Sequence, residues 1–125
     1  YGDHRDLHSF PTRRSSELAV ALKLSKFGGL STMRQARDLC LYLGTRMCVE
    51  DTWGGSITTA AVLHLAAATP ARAILNTCDL ADYVGPDLAH DLPKRENGRI
   101  SPPEGVGLGI SVNEDMLGTP HLILD

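Results

Sequence analysis

The 125-residue chain has three cysteines, Cys40, Cys48 and Cys78, an odd number with no C-x-x-C spacing. That count argues against a disulfide framework and against a zinc knuckle. The three thiols read as small apolar side chains in a reducing cytoplasm, so a cytoplasmic location is expected. There is no basic patch and the formal net charge is −3, which argues against nucleic acid as a partner. The longest apolar run, AAVLHLAAA, falls well short of the roughly 20 residues a membrane span needs. His90 and His121 are isolated, without metal-ligand spacing. GVGLG is a lone glycine cluster with no helical pattern after it, which leaves a phosphate loop unsupported. No internal repeat is present. The length suits one small domain or a piece of a larger one.

The first sixteen residues, YGDHRDLHSFPTRRSS, show no apolar period and no initiator methionine. One choice of codons turns them into a standard short-read sequencing adapter, read in a single frame without a mismatch. Residues 1–16 are therefore read as a non-native, disordered segment joined to the rest at Ser16/Glu17. They are set aside from fold reasoning, with His4, His8 and the Arg13-Arg14 pair. Without their net +1, the remainder carries about −4.

From Glu17 onward, short apolar runs alternate with helical patterns. ELAVALKL predicts a strand, with Val20, Leu22 and Leu24 on one face and Ala19, Ala21 and Lys23 on the other. Thr32 and Gln35 form a T-x-x-Q capping box that predicts a helix start. Met33, Ala36, Leu39, Cys40 and Leu43 then recur at helical spacing up to Gly44. MCVED predicts a second strand, and Ser56 the N-cap of a helix over ITTAAVLHLAAAT. That helix is apolar nearly all round, hence buried on most sides, and stops before Pro70. RAILNT predicts a third strand and DLADYV a short helical turn. Each crossover is long enough for a helix, so the strands should be parallel. Beyond Gly85, proline, glycine and charge dominate, with two short strands expected at GRIS and HLILD. The fold class is α/β. A small three-layer sheet and the last third of an eight-stranded barrel both satisfy the pattern, and the adapter junction favours the barrel.

Three successive strand ends carry polar groups: Lys23, then Glu50, Asp51, Thr52 and Trp53, then Thr77 and Asp79. In an α/β barrel those ends face one mouth, where active sites lie. A lysine on an interior strand is costly unless it is used or reaches water; the plain alternative for Lys23 is a snorkelling surface residue. Carboxylates beside a tryptophan suit a cationic ligand; alternatively, Glu50 and Asp51 are simply a charge pair at a helix N-terminus. Asp79 alternatively caps the DLADYV turn, and His64 reads as a satisfied core histidine.

LKLSKFGGL, VEDTWGGSITTAAVLHLAAATP, CDLADYV and GRISPPEGVGLGISVNEDMLG, in that order, resemble the C-terminal part of the mandelate racemase/muconate lactonizing branch of the enolase superfamily. Within it the pattern is most similar to the cis-3-hydroxy-L-proline dehydratase and proline-betaine epimerase group. The resemblance implies a partial (β/α)8 TIM barrel over 17–84, supplying strands six to eight. The irregular tail, 85–125, would pack on a capping domain that lies elsewhere. It implies a reaction that starts by removing a proton alpha to a carboxylate, using a Lys base and Mg²⁺ as is general in that superfamily. Lys23 takes the place of the sixth-strand catalytic lysine, and Lys26 is expected to be peripheral. Asp51 and Trp53, with Glu50 and Thr52, fall at the seventh-strand end that meets substrate, and Asp79 in the eighth-strand region. An amino-acid ammonium would favour both a carboxylate and a Trp face. The second-strand lysine and the three metal carboxylates of the family have no counterpart in this sequence. The resemblance therefore implies an inactive piece of a Mg²⁺-dependent, homo-oligomeric parent acting on a small carboxylate or amino acid. Other readings are a dipeptide epimerase, a muconate cycloisomerase, or a small non-enzymatic α/β binding module.

Overall fold

The computed structural model describes residues 19–51, 54–78, 83, 85–92 and 94–123. Three strands, β1 (Ala19–Lys23), β2 (Arg46–Glu50) and β3 (Ile74–Thr77), form one sheet in that order, and both pairings are parallel. The first crossover holds α1 (Leu24–Phe27) and α2 (Leu30–Tyr42); the second holds α3 (Ser56–Ala67) and a 3₁₀ turn, Ala71–Ala73. This is the parallel strand–helix repeat expected of part of an α/β barrel.

The period-2 geometry of a strand decides what each sheet face sees. Leu22, Met47 and Val49 point toward the helices and form one core with Met33 of α2, Val62 and Leu65 of α3, and Ala73. Met33, Met47 and Val49 are wholly buried. The opposite face carries Ala19, Ala21 and Lys23 of β1, then Arg46, Cys48 and Glu50 of β2, all exposed or half-buried. The helices thus cover one face of a sheet whose parallel strands call for cover on both.

Several local expectations change. Leu24 belongs to α1, not to the strand. α2 begins at Leu30, two residues before Thr32, and no side chain caps it, so the Thr32/Gln35 box does not form. The chain enters α2 through Gly28 and Gly29, both at positive φ, which fixes the start earlier than the box would. The buried face of α2 runs through Met33 and Arg37, while Leu39 and Leu43 are each 58% exposed. Arg37 tolerates burial because its Nη1 donates to the Ala68 carbonyl at 2.8 Å, tying α2 to the end of α3. Its Nε lies 2.7 Å from Asp38 Oδ1 but is not aligned to donate a hydrogen bond there. Gly44 does end the helix: at φ +67 it donates to the Leu41 carbonyl, while Thr45 donates to that of Cys40. Those two bonds are the Schellman arrangement.

Ser56 is the first residue of α3, not its cap; Gly55 holds that position, and the Ser56 hydroxyl donates to Asp87 Oδ2. α3 is buried on most sides, as its all-round apolar sequence requires. MCVED and RAILNT each shift by a residue or two, the strands being Arg46–Glu50 and Ile74–Thr77. DLADYV lies outside the described residues except for Tyr83. The expected GRIS strand reduces to one antiparallel bridge, Glu96 with Arg99, around Asn97 and Gly98, both at positive φ; that is the signature of a tight hairpin turn. Residues 121–123 of HLILD are not a strand. Instead β4 (Ala89–His90) pairs antiparallel with β5 (Ser111–Val112), and a 3₁₀ turn, Glu114–Met116, follows.

Among the described residues, side-chain hydrogen bonds fasten the tail to α3 at two points. His64 Nε2 lies 3.0 Å from the Leu108 carbonyl, so the mid-helix histidine is satisfied by the tail. Asp87 accepts from the Ser56 hydroxyl and from the Ala89 amide at 3.3 Å. The Ser56 hydroxyl, ahead of the opposing cost of burial, holds the Asp87 carboxyl below the ordinary carboxylate range. A depressed folded-state value means this anchor is present above the unfolded-state pKa and is lost as pH falls through the folded-state value. Amide NMR should therefore show the Ala89 resonance moving at a pH below the ordinary carboxylate value. Ser56→Ala should raise the pH of that movement toward the ordinary carboxylate value.

Gly109 closes the loop behind Leu108. Its φ is +69, and a Cβ there would lie 2.7 Å from the Glu104 carbonyl oxygen and 2.9 Å from its carbon. Backbone cannot step aside as a flexible side chain can, so Gly109→Ala should cost about 1–3 kcal/mol locally. Limited proteolysis should then cut between residues 104 and 110 faster than in the unmodified chain, with the barrel strands still protected.

Candidate active site

Lys23 closes β1, and the parallel register sets Lys23 opposite Glu50, the last residue of β2. Both side chains leave the face away from the helices. The two alanines below Lys23 on that face offer no bulk to pin its long side chain. The Nζ of Lys23 lies 3.3 Å from Glu50 Oε1, with 37% and 17% of the respective side chains exposed. The next strand adds Cys78, whose amide donates to the Val49 carbonyl at 3.3 Å and extends the β2–β3 pairing by one residue. Burial pushes the Cys78 thiol up first; the negative charge of Glu50 and a hydrogen bond to it push further, with Cys48 adding and Lys23 opposing. Lys23, Glu50 and Cys78 therefore form a row across three consecutive strand ends.

The positions expected at this mouth divide. Lys23 and Glu50 come together. Asp51 does not join them: one residue along a strand reverses the side, and Asp51 is 8% exposed, with Oδ1 accepting the Ser25 amide at 3.0 Å. It ties the end of β2 to the start of α1 and lines a cavity of about 10 Å³ with Gly54, Thr58, Thr59, Val62 and Cys78, too small for an organic ligand. Thr52, Trp53 and Asp79 lie outside the described residues. Lys26 is exposed on α1, away from the row. The sequence reading missed Cys78. No local pattern marks it: Cys78 reaches the row through the register of β3 on β2, where Asn76 pairs with Cys48.

A larger recess, about 500 Å³, lies between α3, β3 and residues 98–102 and is lined chiefly by Leu63, Ala66, Ile74 and Pro102. It opens on the helix side of β3, and Lys23 does not line it. Among the described residues, no three His, Cys, Asp or Glu are placed to hold a metal ion. Glu50 is already the counter-ion of Lys23, so this site does not by itself fit Mg²⁺.

The fold and the site together define a segment of a parallel α/β barrel with a polar row at the C-terminal ends of its strands. The sequence pattern described as "Enolase C-terminal domain-like" matches residues 13–116, and the chain belongs to that family. The match begins four residues inside the stretch read as adapter. The chain is 46% identical over 101 residues to cis-3-hydroxy-L-proline dehydratase of Roseibium aggregatum, covering 81% of this chain and 28% of that protein. It is 29% identical over 107 residues to muconate cycloisomerase 1 of Rhodococcus opacus, covering 86% and 29% respectively. A mandelate racemase/muconate lactonizing enzyme from Roseovarius nubinhibens superposes with TM-score 0.79 at 32% identity, over 91% of this chain and 32% of the other. A member of the enolase superfamily from the same organism, complexed with magnesium, superposes with TM-score 0.76 at 30% identity over 94% and 32%. The chain thus spans under a third of the length of these curated relatives. No helix among the described residues is long and apolar enough to cross a membrane.

Proposed function

We propose that this chain is the sixth-to-eighth-strand part of a Mg²⁺-dependent enzyme that removes a proton alpha to a carboxylate, with Lys23 as one of its acid/base residues. The substrate is a hydroxyproline- or proline-betaine-like amino acid, and the outcome dehydration or racemisation/epimerisation. The observation that carries the reading is the placement of the Lys23 amine at a strand end, on the open face, in a chain 46% identical to a hydroxyproline dehydratase. An amine there can take the alpha proton or return one to the opposite face of the same carbon; in a dehydration it can protonate the departing hydroxyl. Trp53, Asp79 and Thr52 are proposed to receive the substrate, its ammonium drawn by the Asp79 carboxylate and the Trp53 ring face. The magnesium complex of the enolase-superfamily relative supports Mg²⁺ in the parent. The parent is read as a cytoplasmic homo-oligomer with no nucleic-acid or membrane partner.

The chain alone is expected to be inactive, since it spans 28% of the dehydratase it resembles. The test joins the upstream part of the Roseibium aggregatum protein to this chain at Glu17. The chimera is assayed with Mg²⁺ on cis-3-hydroxy-L-proline and proline-betaine, beside the isolated chain. Turnover of either compound by the chimera alone supports the reading; turnover by the isolated chain, or a folded chimera inert toward both, overturns it.

A further inference from the structure

We infer that Glu50 is a positioning residue for Lys23, and that Cys78 holds the far side of the same carboxylate. The inference rests on reading Lys23 as an acid/base group. A lysine reaches its target through four flexible bonds, and its side chain carries about 2 kcal/mol of rotamer entropy. Proton transfer needs the amine within hydrogen-bond distance of the reacting carbon's proton, so something must fix it. The face beneath Lys23 presents only Ala21 and Ala19 and cannot do so. Glu50 can: it is set opposite Lys23 by strand register, its side chain is 17% exposed, and Oε1 is 3.3 Å from Nζ.

A glutamate with three rotatable bonds needs fixing in turn, and Cys78 supplies it. The Cys78 amide on the Val49 carbonyl brings its side chain beside Glu50, whose carboxylate pushes the thiol toward its protonated, donor form. A thiol is a neutral donor, so it steadies Glu50 without competing as a second cation for its charge. Only the protonated thiol can donate; burial and the neighbouring carboxylate both favour that form. The chemistry at this mouth would then depend on a row in which β1 provides the reacting group, β2 aims it, and the end of β3 braces the aim.

The experiment uses this chain and requires no turnover. Brief acetylation with N-hydroxysuccinimidyl acetate is read at Lys23 against Lys26. Alkylation with iodoacetamide is read at Cys78 against Cys40. Both are resolved by peptide mass spectrometry at pH 8. In Glu50→Gln, Cys78 should alkylate about threefold faster or more, as an adjacent negative charge no longer opposes the thiolate. Lys23 should acetylate faster by a similar factor, its amine no longer occupied by a carboxylate. Cys78→Ala should raise the Lys23 rate in part, and Cys78→Ser, which keeps a donor, should restore it. Unchanged Lys23 and Cys78 rates in Glu50→Gln overturn the inference. If circular dichroism shows that variant unfolded, the Cys78 pair decides, and equal Lys23 rates in Cys78→Ala and Cys78→Ser overturn it. The chimera assay reports separately on the role of Lys23, so a failure there is distinguishable from a failure here.

Discussion

Lys23→Met in the chimera should lower kcat by about 10²–10⁴-fold, the usual worth of a positioned acid/base group. Methionine keeps most of the apolar stem of lysine and lacks the amine. Folding should therefore survive, and the far-UV circular dichroism of the variant should match that of its parent. The side chain is 37% exposed and lies outside the core, so stability gives no competing reason for the loss. Lys23→Arg separates charge from proton transfer. It keeps a cation opposite Glu50, yet a guanidinium does not release its proton in proteins, so kcat should stay nearly as low as with methionine. Activity of Lys23→Met within tenfold of the parent would remove Lys23 from the reaction. Kinetics of substrate disappearance at saturating Mg²⁺ provide the measurement.

Met47→Ala should destabilise the chain by about 2–5 kcal/mol. Met47 is wholly buried on the central strand, where it packs with Leu22 of β1, Met33 of α2 and Val62 of α3. Truncation leaves a void that all three neighbouring elements border, and a close-packed interior closes such a void only in part. A single domain has a total stability of about 5–15 kcal/mol, so this one change takes a large fraction. Urea unfolding followed by circular dichroism should show the midpoint moving well down. The control is Leu39→Ala. Leu39 shares the helical spacing of the apolar stripe but is 58% exposed, and its loss should stay within about 0.5 kcal/mol. Equal shifts for the two variants would mean that α2 is rotated from the orientation described.

The contrast between Met47 and Leu39 shows where sequence reasoning holds and where it stops. Alternation along ELAVALKL sorts Leu22 from Lys23 because a strand allows only two sides. Crossover length predicts parallel pairing because a short turn cannot return a strand in the same direction. A helical repeat is less definite: Met33, Ala36, Leu39, Cys40 and Leu43 fit one stripe on paper, yet the helix turns Leu39 and Leu43 outward and Arg37 in. The reason is the Ala68 carbonyl, a partner from a distant element that makes a buried guanidinium tolerable. The Thr32/Gln35 box fails for a related reason. Its pattern is local, but the entry into α2 is set by the turn at Gly28 and Gly29. In the tail, GRIS keeps one bridge, Glu96 with Arg99, residues 121–123 of HLILD are not a strand, and pairing goes instead to Ala89–His90 and Ser111–Val112.

The same division runs through the candidate site. By itself the sequence determined the α/β class, the parallel order of strands, the lysine at the end of the first, and the family resemblance, because each depends on local period or on residue identity. The tertiary structure alone decided that Glu50 rather than Asp51 faces Lys23 and that Cys78 joins them. It also decided that Asp51 turns to the Ser25 amide. Those outcomes depend on strand register and on which side each strand end presents, and register is a relation between segments that no single segment encodes.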